Sequence, residues 1–376
     1  MSLRWMLWLP AVLAGVALPV AAQDGGESSP GSLGPLRVHN MMFPAVISLG
    51  FMPAPAEVLS EGDVVFELHY SHANVFVMSR NVREYLQQRN RRSPLSAEDA
   101  RRIFEDVPGD AFYLDGETGV VNLVAYWGMG AGWAGSLAIP VYHYSGGFLD
   151  ATIMDFHRAF GIGQAGKHLV ANNHFQMLIK IGDDRLFIPD RPARGSVGDP
   201  TFSLSYQFPD LTAEWKAGFS AAIKVPSGGP ERFQSSGSVD YGLQFALQRR
   251  WGRSGLYLNA AFVWMGDFEI APSLRPANVP SLNVAYAREL SPHWSLVLNA
   301  VWSRSIWHSV VQKNPGNLQR DFATDEYQAS LGWRYWRNGW GWGFAVTENL
   351  ANFDNTPDIG FHLWSAFAVP PRDRRP

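Results

Sequence analysis

The amino-acid sequence predicts an all-β protein, a transmembrane antiparallel up-and-down β-barrel with 12 to 14 strands. In its second half, apolar residues alternate with polar or small ones, as do Tyr327, Leu331 and Trp333 with their neighbours in 326–335. This period of two continues long enough for a strand to cross a bilayer. A secretory signal precedes these stretches, and their connections alternate between short and long. Short turns at one end and long loops at the other are typical of outer-membrane barrels.

Residues 1–22 have the pattern of a cleavable signal peptide. Arg4 carries the positive charge, an apolar run extends from Trp5 to Leu18, and Val20–Ala22 supply small residues before Gln23. Such a signal directs export. Together with the barrel pattern, it predicts a location in the outer membrane of a Gram-negative bacterium.

The composition excludes several classes of protein. The chain has no cysteine, which excludes a disulfide, a thiolate metal site, a cysteine nucleophile and a lipid anchor on cysteine. A net charge of −3 provides no basic field for nucleic acid. The 15 Trp and 23 Phe residues favour aromatic girdles at membrane interfaces. Neither a cofactor nor a metal is expected.

The segment 23–62 is predicted to be a plug that packs inside the barrel or under its mouth. It is rich in Gly, Ser and Pro, yet it contains an apolar run over 41–52 that is unfavourable in water. Flexible Met and aromatic side chains form adaptable apolar sites. The candidates for plug packing or for contact with an apolar ligand are Met41, Met42, Phe43, Phe51 and Met52.

The first half of the barrel is interrupted by two predicted loop helices. Ser96 is a predicted N-cap with Asp99 at the third position after it, which favours a short helix over 100–104. Leu149, Ile153 and Phe160 follow helical spacing between Gly147 and Gly161. Residues 110–129 predict one long bent strand, or a strand and a turn at 115–116. The strands predicted here span 63–78, 110–129, 133–144, 173–181 and 185–188.

Beyond residue 198 the strand pattern is regular. The predicted strands span 201–208, 213–225, 238–250, 256–265, 282–290, 294–306, 326–336, 340–350 and 359–369. The barrel therefore occupies 63–369, followed by a periplasmic extension at 370–376. Counting the strand at 185–188 gives 14 strands, whereas placing it and its partner in an outer loop gives 12; both numbers are even, as such barrels require.

A soluble β-sandwich also has alternating strands, but it needs charged outer faces. Here the faces opposite the apolar ones are often small and uncharged, as at Gly218, Ser220 and Ala222. Such faces suit the wall of a lumen better than a solvent-exposed surface, which favours the membrane barrel.

Polar residues within the strands are candidates for the lumen. We expect them to form charge ladders that rigidify the wall, with pore selectivity as the functional variant. An acid/base pair is the alternative for the two carboxylates at 115 and 117. The candidates are Glu67, His69, Ser71, Asp115, Glu117, Lys180, Glu214, Lys216, Lys224, Arg334 and Glu348.

Two further groups suggest chemistry less strongly. His69 and Ser71 resemble the Ser-His pair of a membrane-embedded lipid hydrolase, although a polar lumen explains the same pair. In the second loop helix, Asp155 and His157 face different ways, so they do not chelate one metal ion. Asp150, Asp155 and His157 are instead expected to cap the helix or to contact the plug or the surface. No enzymatic activity is predicted.

Several motifs resemble a family of proteobacterial outer-membrane proteins defined as a domain of unknown function. The resemblance implies a barrel and no particular substrate, and the extension after 369 departs from the usual aromatic end of such barrels. The carrying motifs are Gly34–Asn40, Leu114–Thr118, Ser145–Asp150, Asp155–His157, Val197–Pro200, Thr347–Leu350 and Asn355–Asp358. The plug and barrel also resemble, in architecture, the long-chain fatty-acid transporters, although one fold hosts many functions.

The leading functional hypothesis is the passage or binding of small, possibly hydrophobic, molecules across the outer membrane. A structural or interaction role is the first alternative, in which the loop helices dock a partner or close the pore. A lipid hydrolase is the second. The expected partners are outer-membrane lipid, the barrel-assembly machinery and a small hydrophobic ligand, and no nucleic acid.

Overall fold

The computed structural model describes residues 33–89, 91–161, 163, 166–191, 195–309, 323–351 and 355–369. Within these ranges, 15 strands form one antiparallel sheet, and 12 of the strands close into a barrel. The first strand pairs with the last, from Val64 opposite Val369 to Asn74 opposite Ile359. The predicted up-and-down transmembrane barrel is confirmed, and it has 12 strands, the smaller of the two predicted numbers. The signal peptide and the 370–376 extension lie outside the described residues.

The strands are β1 (Val64–Met78), β2 (Ala111–Gly130), β3 (Trp133–Ser145), β4 (Gln176–Ile181), β5 (Asp184–Ile188), β6 (Ser196–Val197), β7 (Thr201–Gln207), β8 (Trp215–Lys224), β9 (Asp240–Trp251), β10 (Ser254–Trp264), β11 (Val279–Ser291), β12 (Trp294–Ser303), β13 (Glu326–Arg337), β14 (Trp340–Ala351) and β15 (Ile359–Val369). The α-helices are α1 (Arg80–Arg89), α2 (Ala97–Glu105) and α3 (Asp150–Phe160). Strands β4 to β6 are not part of the closed ring.

The alternation along each strand separates a lipid face from a lumen face. On β9, Tyr241, Leu243 and Phe245 are about half exposed, whereas Gly242 and Gln244 between them are buried. Aromatic pairs surround the end of the barrel that carries the short turns. Their ring centroids are 4.7 Å apart for Trp133 and Tyr206, 4.9 Å for Trp294 and Tyr335, and 4.5 Å for Trp340 and Phe367. This belt is the predicted girdle, placed where amphipathic rings favour the membrane interface.

At the long-loop end, β1 and β2 continue past the ring, where β2 pairs with β4 and β4 pairs with β5. Residues 75–78 of β1 pair only with β2, and 111–115 of β2 pair with β4. We call β4, β5 and these two strand ends the lid. Its inner face packs against Trp307 and Phe268 from long loops elsewhere in the ring, so the lid lies across the mouth. The strand predicted at 185–188 therefore exists but does not cross the membrane.

The outer face of the lid is covered by α1 and α2. Val82 and Leu86 of α1 and Ile103 of α2 pack on Phe76 and Tyr113 of the lid. The helix α1 was not predicted, because only two of its residues are buried apolar ones and its remaining surface is polar. Among the described residues, no helix is long and apolar enough to cross a membrane.

The start of α2 agrees with the capping motif in the sequence. The Ser96 hydroxyl accepts a hydrogen bond from the Asp99 amide at 3.1 Å, and the Asp99 carboxylate accepts one from the Ser96 amide at 2.9 Å. Burial alone would raise the pKa of Asp99. The hydrogen bonds from Ser96 and Tyr85 and the charge of Arg89 outweigh burial and lower the pKa to about 2. The stabilisation by this carboxylate is therefore present above about pH 4 and is lost as the pH falls towards 2.

Substitution of the cap tests whether α2 depends on it. Ser96→Ala should destabilise α2 by about 1 kcal/mol, because the Asp99 amide loses its acceptor. Amide hydrogen exchange over 97–105 should become faster by the corresponding factor. Glu98→Gln is the matched control: its ion pairs with Arg101 and Arg102 are half exposed, and such pairs contribute about 0–1 kcal/mol. Equal effects of the two substitutions would contradict the assigned role of the cap.

Candidate functional site

Residues 33–62 run through the lumen, and we call this segment the plug. Leu33 and Leu36 contact Tyr257 and Ala287 in the half of the barrel near the short turns. The chain then reaches the lid, turns in a 3₁₀ helix at Ala45–Ile47, and returns to the short-turn end. There the Gly62 amide donates to the Gly128 carbonyl at 3.2 Å, just before β1 begins. The plug thus has an ascending limb (33–40), a turn (41–48) and a returning limb (49–62).

Amide side chains of the wall hold the plug backbone. The Leu36 amide donates to Asn299 Oδ1 at 3.3 Å, and Asn299 Nδ2 donates to the Leu36 carbonyl at 3.1 Å. Asn259 binds Ala54 in the same two-way manner, at 3.3 and 2.8 Å. Further wall side chains each bind one plug backbone group: Gln207, Asp240, Gln244 and Gln248. These contacts satisfy backbone groups that are shielded from water.

Ion pairs fix the returning limb near the short-turn end. Glu57 lies 2.9 Å from Lys216 and 2.8 Å from Arg250, which project from neighbouring strands. Close approach is also required here, since a Cβ atom at Gly128 would lie 1.9 Å from the Ser60 carbonyl oxygen. A glycine at this wall position therefore allows the plug to lie directly against the backbone of β2.

The turn of the plug is sealed under the lid. Met41, Met42 and Phe43 are almost completely buried, and the Phe43 ring lies 5.3 Å from that of Phe233. They pack against the inner face of the lid. These three candidates therefore form a closed apolar core. Phe51 and Met52, in contrast, are only half buried and line two cavities beside the plug.

The larger cavity, of about 670 Å³, lies between the plug and the wall. Its wall side includes the inner faces of β2, β3, β7 and β8, and small residues such as Ala138, Ser203 and Gly218 lie on the last three. It extends from Lys216 and Arg250 at the short-turn end to residues of the long-loop end. The second cavity, of about 100 Å³, lies between the plug and β10 to β13. The large cavity occupies the side of the lumen where side chains are short.

A buried triad lies at the long-loop end of the large cavity. Lys224 Nζ is 2.8 Å from Asp199 and 3.4 Å from Asp240, and all three side chains are almost fully buried. Asp240 also accepts a hydrogen bond from the Leu49 amide of the plug at 2.9 Å. Asp199 lies between β6 and β7 and accepts hydrogen bonds from the loop amide of Ser227 at 2.8 Å. The triad therefore ties the plug, two strands and a long loop together.

Six of the predicted lumen residues face the lumen: Glu67, His69, Ser71, Lys216, Lys224 and Arg334. Glu67 lies 2.8 Å from His69 and 3.9 Å from Arg37 of the plug. Arg334 lies over the Trp364 ring at 4.5 Å and donates to the Pro35 carbonyl at 3.3 Å. These charges are fastened to the plug as well as to each other.

The other five do not face the lumen. Asp115 and Glu117 have the same parity on β2 as Leu123 and Trp127, so they point outward. Asp115 pairs there with Lys167, and Glu117 binds His72 at 2.7 Å. The prediction for this pair was wrong because the parity of the lipid-facing residues was not followed to the upper end of β2.

The remaining three lumen candidates also have partners or positions outside the lumen. Lys180 lies in β4 and donates to the Ile103 carbonyl at 3.2 Å and to the Val107 carbonyl, at the end of α2. Glu214 lies in a short connection and pairs with Arg249 at 2.9 Å, with both side chains about half exposed. Glu348 is exposed on the outward face of β14.

The residues proposed for hydrolysis are not brought together. His69 bonds to Glu67, while Ser71 Oγ lies 2.8 Å from Nδ1 of His362 on β15. Both Ser71 and His362 are buried, at 3% and 4% exposure. The sequence did not indicate His362, because its position opposite Ser71 depends on the pairing of the first strand with the last.

The loop-helix candidates have structural partners. Asp150 at the start of α3 lies 2.8 Å from Lys167 and accepts from Asn74 at 3.0 Å. Asp155 pairs with Arg158 in the same helix, and His157 is half buried. Across the described ranges, no group of three or more His, Cys, Asp or Glu side chains has a metal-binding arrangement.

Comparison with known proteins places the chain in a family. Residues 105–368 match the family described as protein of unknown function DUF3187. The chain belongs to this family. No curated protein matches the chain in sequence.

Solved structures of outer-membrane barrels are similar in fold. The COG4313 outer membrane channel from Pseudomonas putida F1 aligns with a TM-score of 0.50 and 12% identity, covering 85% of this chain and all of that chain. The NanC porin aligns with 0.39 and 9%, covering 66% and 93%. The Pseudomonas putida toluene transporter TodX aligns with 0.38 and 8%, covering 90% and 98%. At these identities, the likeness shows the fold alone.

Removing one wall amide tests how the plug is held. Asn259→Leu should release the middle of the returning limb, because a buried unsatisfied polar group costs about 1–3 kcal/mol and Ala54 would have two. A cysteine at Pro55 should then react faster with a thiol reagent, in a chain that has no other cysteine.

Asn283→Leu is the matched control, since Asn283 faces the lumen on the next strand and, among the described residues, donates only to the Ala300 carbonyl of the wall. Unchanged labelling in Asn259→Leu, or an equal increase in Asn283→Leu, would contradict the role assigned to the amides.

Proposed function

We propose that the protein is a channel in the outer membrane of a Gram-negative bacterium, and that it carries small molecules through its lumen with the plug as the gate. The observation that carries this proposal is the large cavity beside the returning limb. It follows the inner face of β7 and β8 from Gln207 and Lys216 to Thr201 and Lys224, so that it extends along most of the wall. A lumen filled only to rigidify the barrel has no need of such a space.

The orientation of the barrel assigns the two ends of this path. Short turns face the periplasm in outer-membrane barrels and long loops face outside. The lid therefore covers the outer mouth, and the plug enters and leaves at the periplasmic end. Passage requires that the plug turn or the lid moves, since Met42 and Val46 are packed against the inner face of the lid.

The contacts of the plug are suited to a gate. The returning limb is held by hydrogen bonds and ion pairs at separate points, such as Ala54, Ala56 and Glu57. Each neutral hydrogen bond contributes about 0.5–1.5 kcal/mol net, so the limb is fastened by several modest contacts and not by a continuous ladder. These contacts do not test the prediction from the sequence that the solute is hydrophobic.

Conductance in a planar bilayer tests the proposal. The refolded mature chain should conduct poorly, because the plug and lid fill the lumen. A variant lacking 23–62 should open stable channels, since the wall then encloses the full cross-section of a 12-stranded barrel. If neither protein conducts although both insert as folded barrels, the channel proposal is wrong.

A bulky substitution in the wall tests the position of the path. In the conducting variant, Ser203→Phe should reduce conductance by at least about half, because the ring would project into the cavity on the side with small residues. Ala221→Phe is the matched control, since it adds the same ring to the lipid face of the adjacent strand β8. Equal conductance of the two variants would place the path elsewhere.

A further inference from the structure

The wall of the large cavity carries polar side chains without a hydrogen-bond partner among the described residues. Asn122, Ser136, Thr201 and Ser203 all line the cavity. Within the part of the chain that the structure describes, none of these four side chains forms a hydrogen bond or an ion pair. Asn122 is only 7% exposed. Ser136, Thr201 and Ser203 are partly exposed to the cavity. Buried polar groups are nearly always hydrogen-bonded, so the buried Asn122 amide beside three cavity-facing hydroxyls requires an explanation.

The four side chains form a continuous track. Ser136 on β3 lies opposite Ser203 on β7, and Thr201 lies one inward position further along β7. Asn122 on β2 lies opposite Pro140, the next inward position of β3 beyond the partner of Thr201. Donors and acceptors are therefore available at regular intervals along the path, because inward positions repeat every two residues.

The charged groups around the cavity are paired with each other. Lys216 and Arg250 share Glu57, with Asp210 3.9 Å from Lys216 as a second carboxylate, and Lys224 lies between Asp199 and Asp240. Arg37 lies 3.9 Å from Glu67. Arg334 lies over the Trp364 ring and is attracted by the negative charge of Glu67. With their charges compensated, these groups do not select for an ion. The groups left to recognise a solute are amides and hydroxyls.

We infer that this track binds small, uncharged, polyhydroxylated solutes, such as a monosaccharide; the inference rests on the proposed function and names its solute class. Hydroxyl and amide side chains both donate and accept, as the hydroxyls of such a solute do. Neighbouring Ala138 and Ala222 leave the room that a ring with several hydroxyls needs. A volume of about 670 Å³ is in the range of pockets that hold small molecules.

A site that hydrogen-bonds a hydroxyl discriminates strongly against an analogue that lacks it. The analogue leaves buried polar groups of the site unpaired, whereas an apolar pocket discriminates only weakly against an added hydroxyl. The structure therefore favours a hydroxylated solute over the hydrophobic one expected from the sequence. The experiment compares the two classes directly.

Protection of a single cysteine measures binding without requiring transport. Ala222 lines the cavity directly opposite Ser203, and the chain has no native cysteine. In the refolded full-length Ala222→Cys protein, the rate of modification by methyl methanethiosulfonate is measured with xylose, with triethylene glycol of similar mass, or with toluene. Xylose should slow the modification several-fold, and the other two should not.

A track variant links the protection to the named side chains. The triple change Asn122→Leu, Ser136→Ala and Ser203→Ala should raise the xylose concentration needed for protection about tenfold, as expected for losing three hydrogen bonds at the low end of their range. Ser365→Ala, which removes one hydroxyl from the lipid face of β15, is the control and should change nothing. Unchanged far-ultraviolet circular dichroism and heat-modifiable migration show that each variant is folded.

Three results would overturn the inference: equal or better protection by triethylene glycol or toluene, unchanged protection in the triple variant, or a cysteine that the reagent does not reach. The channel proposal fails separately. Xylose protection without conductance in the variant lacking 23–62 contradicts transport alone, and conductance without selective protection contradicts the solute class alone.

Discussion

The structure depends on one constraint: an extended chain inside a barrel must find hydrogen-bond partners where no strand is free to pair with it. Each strand of the ring already uses its backbone groups on both sides. Side chains remain, and a primary amide carries a carbonyl acceptor next to an NH2 donor, so that one side chain can bind both the N–H and the C=O of a plug residue. Asn299 at Leu36 and Asn259 at Ala54 therefore act as substitutes for a neighbouring strand. The plug is bound to the sheet without being part of it.

This constraint divides the lumen into two unequal sides. Amide side chains on β9, β10 and β12 reach the plug, and Gln248 and Asn299 are typical of that side. In the middle of β3, β7 and β8 the inward residues are short, as at Ser203 and Ala222, so only the short-turn ends of β7 and β8 reach it, through Gln207 and Lys216. A 12-stranded ring encloses more space than one folded-back chain fills, and the excess collects on the side with short side chains. The cavity is thus a consequence of which strands carry amides.

The parity of apolar residues was sufficient to predict the barrel strands, because each strand obeys a local rule with a period of two. It also indicated the small wall residues at Gly218 and Ser220. The same rule shows why Asp115 and Glu117 were misplaced: their parity is that of Leu123, but the upper end of β2 is covered by a loop and not by lipid. The capping motif at Ser96 was readable because capping is local.

What the sequence did not show depends on distant pairing. The contact of Ser71 with His362 requires the closure of the ring, and the contacts of Asn259 and Asn299 require the path of the plug. An isolated Asn or Gln on a lumen face is simply polar, so nothing local distinguishes one that holds the plug from one that faces a cavity, such as Asn122. The signal that was available is the row of uncharged amides at inward positions of β9 to β12: Gln244, Gln248, Asn259, Asn283 and Asn299.

The contacts that hold the plug differ in kind and strength along its length. This difference determines which part of the plug moves more easily. The turn buries Met41, Met42 and Phe43 against the lid, and each such side chain contributes about 1.5–3 kcal/mol by leaving water. The returning limb is held by separate hydrogen bonds of about 0.5–1.5 kcal/mol each and by the ion pairs of Glu57, and it borders the cavity from Leu49 to Ser60. Displacing part of that limb widens the path below the lid while the apolar core under the lid stays intact, and passage through the outer mouth then requires the turn or the lid to move as well. Because the turn and the lid share that core, release of the turn would expose apolar surface on both, which makes the returning limb the weaker element of the gate.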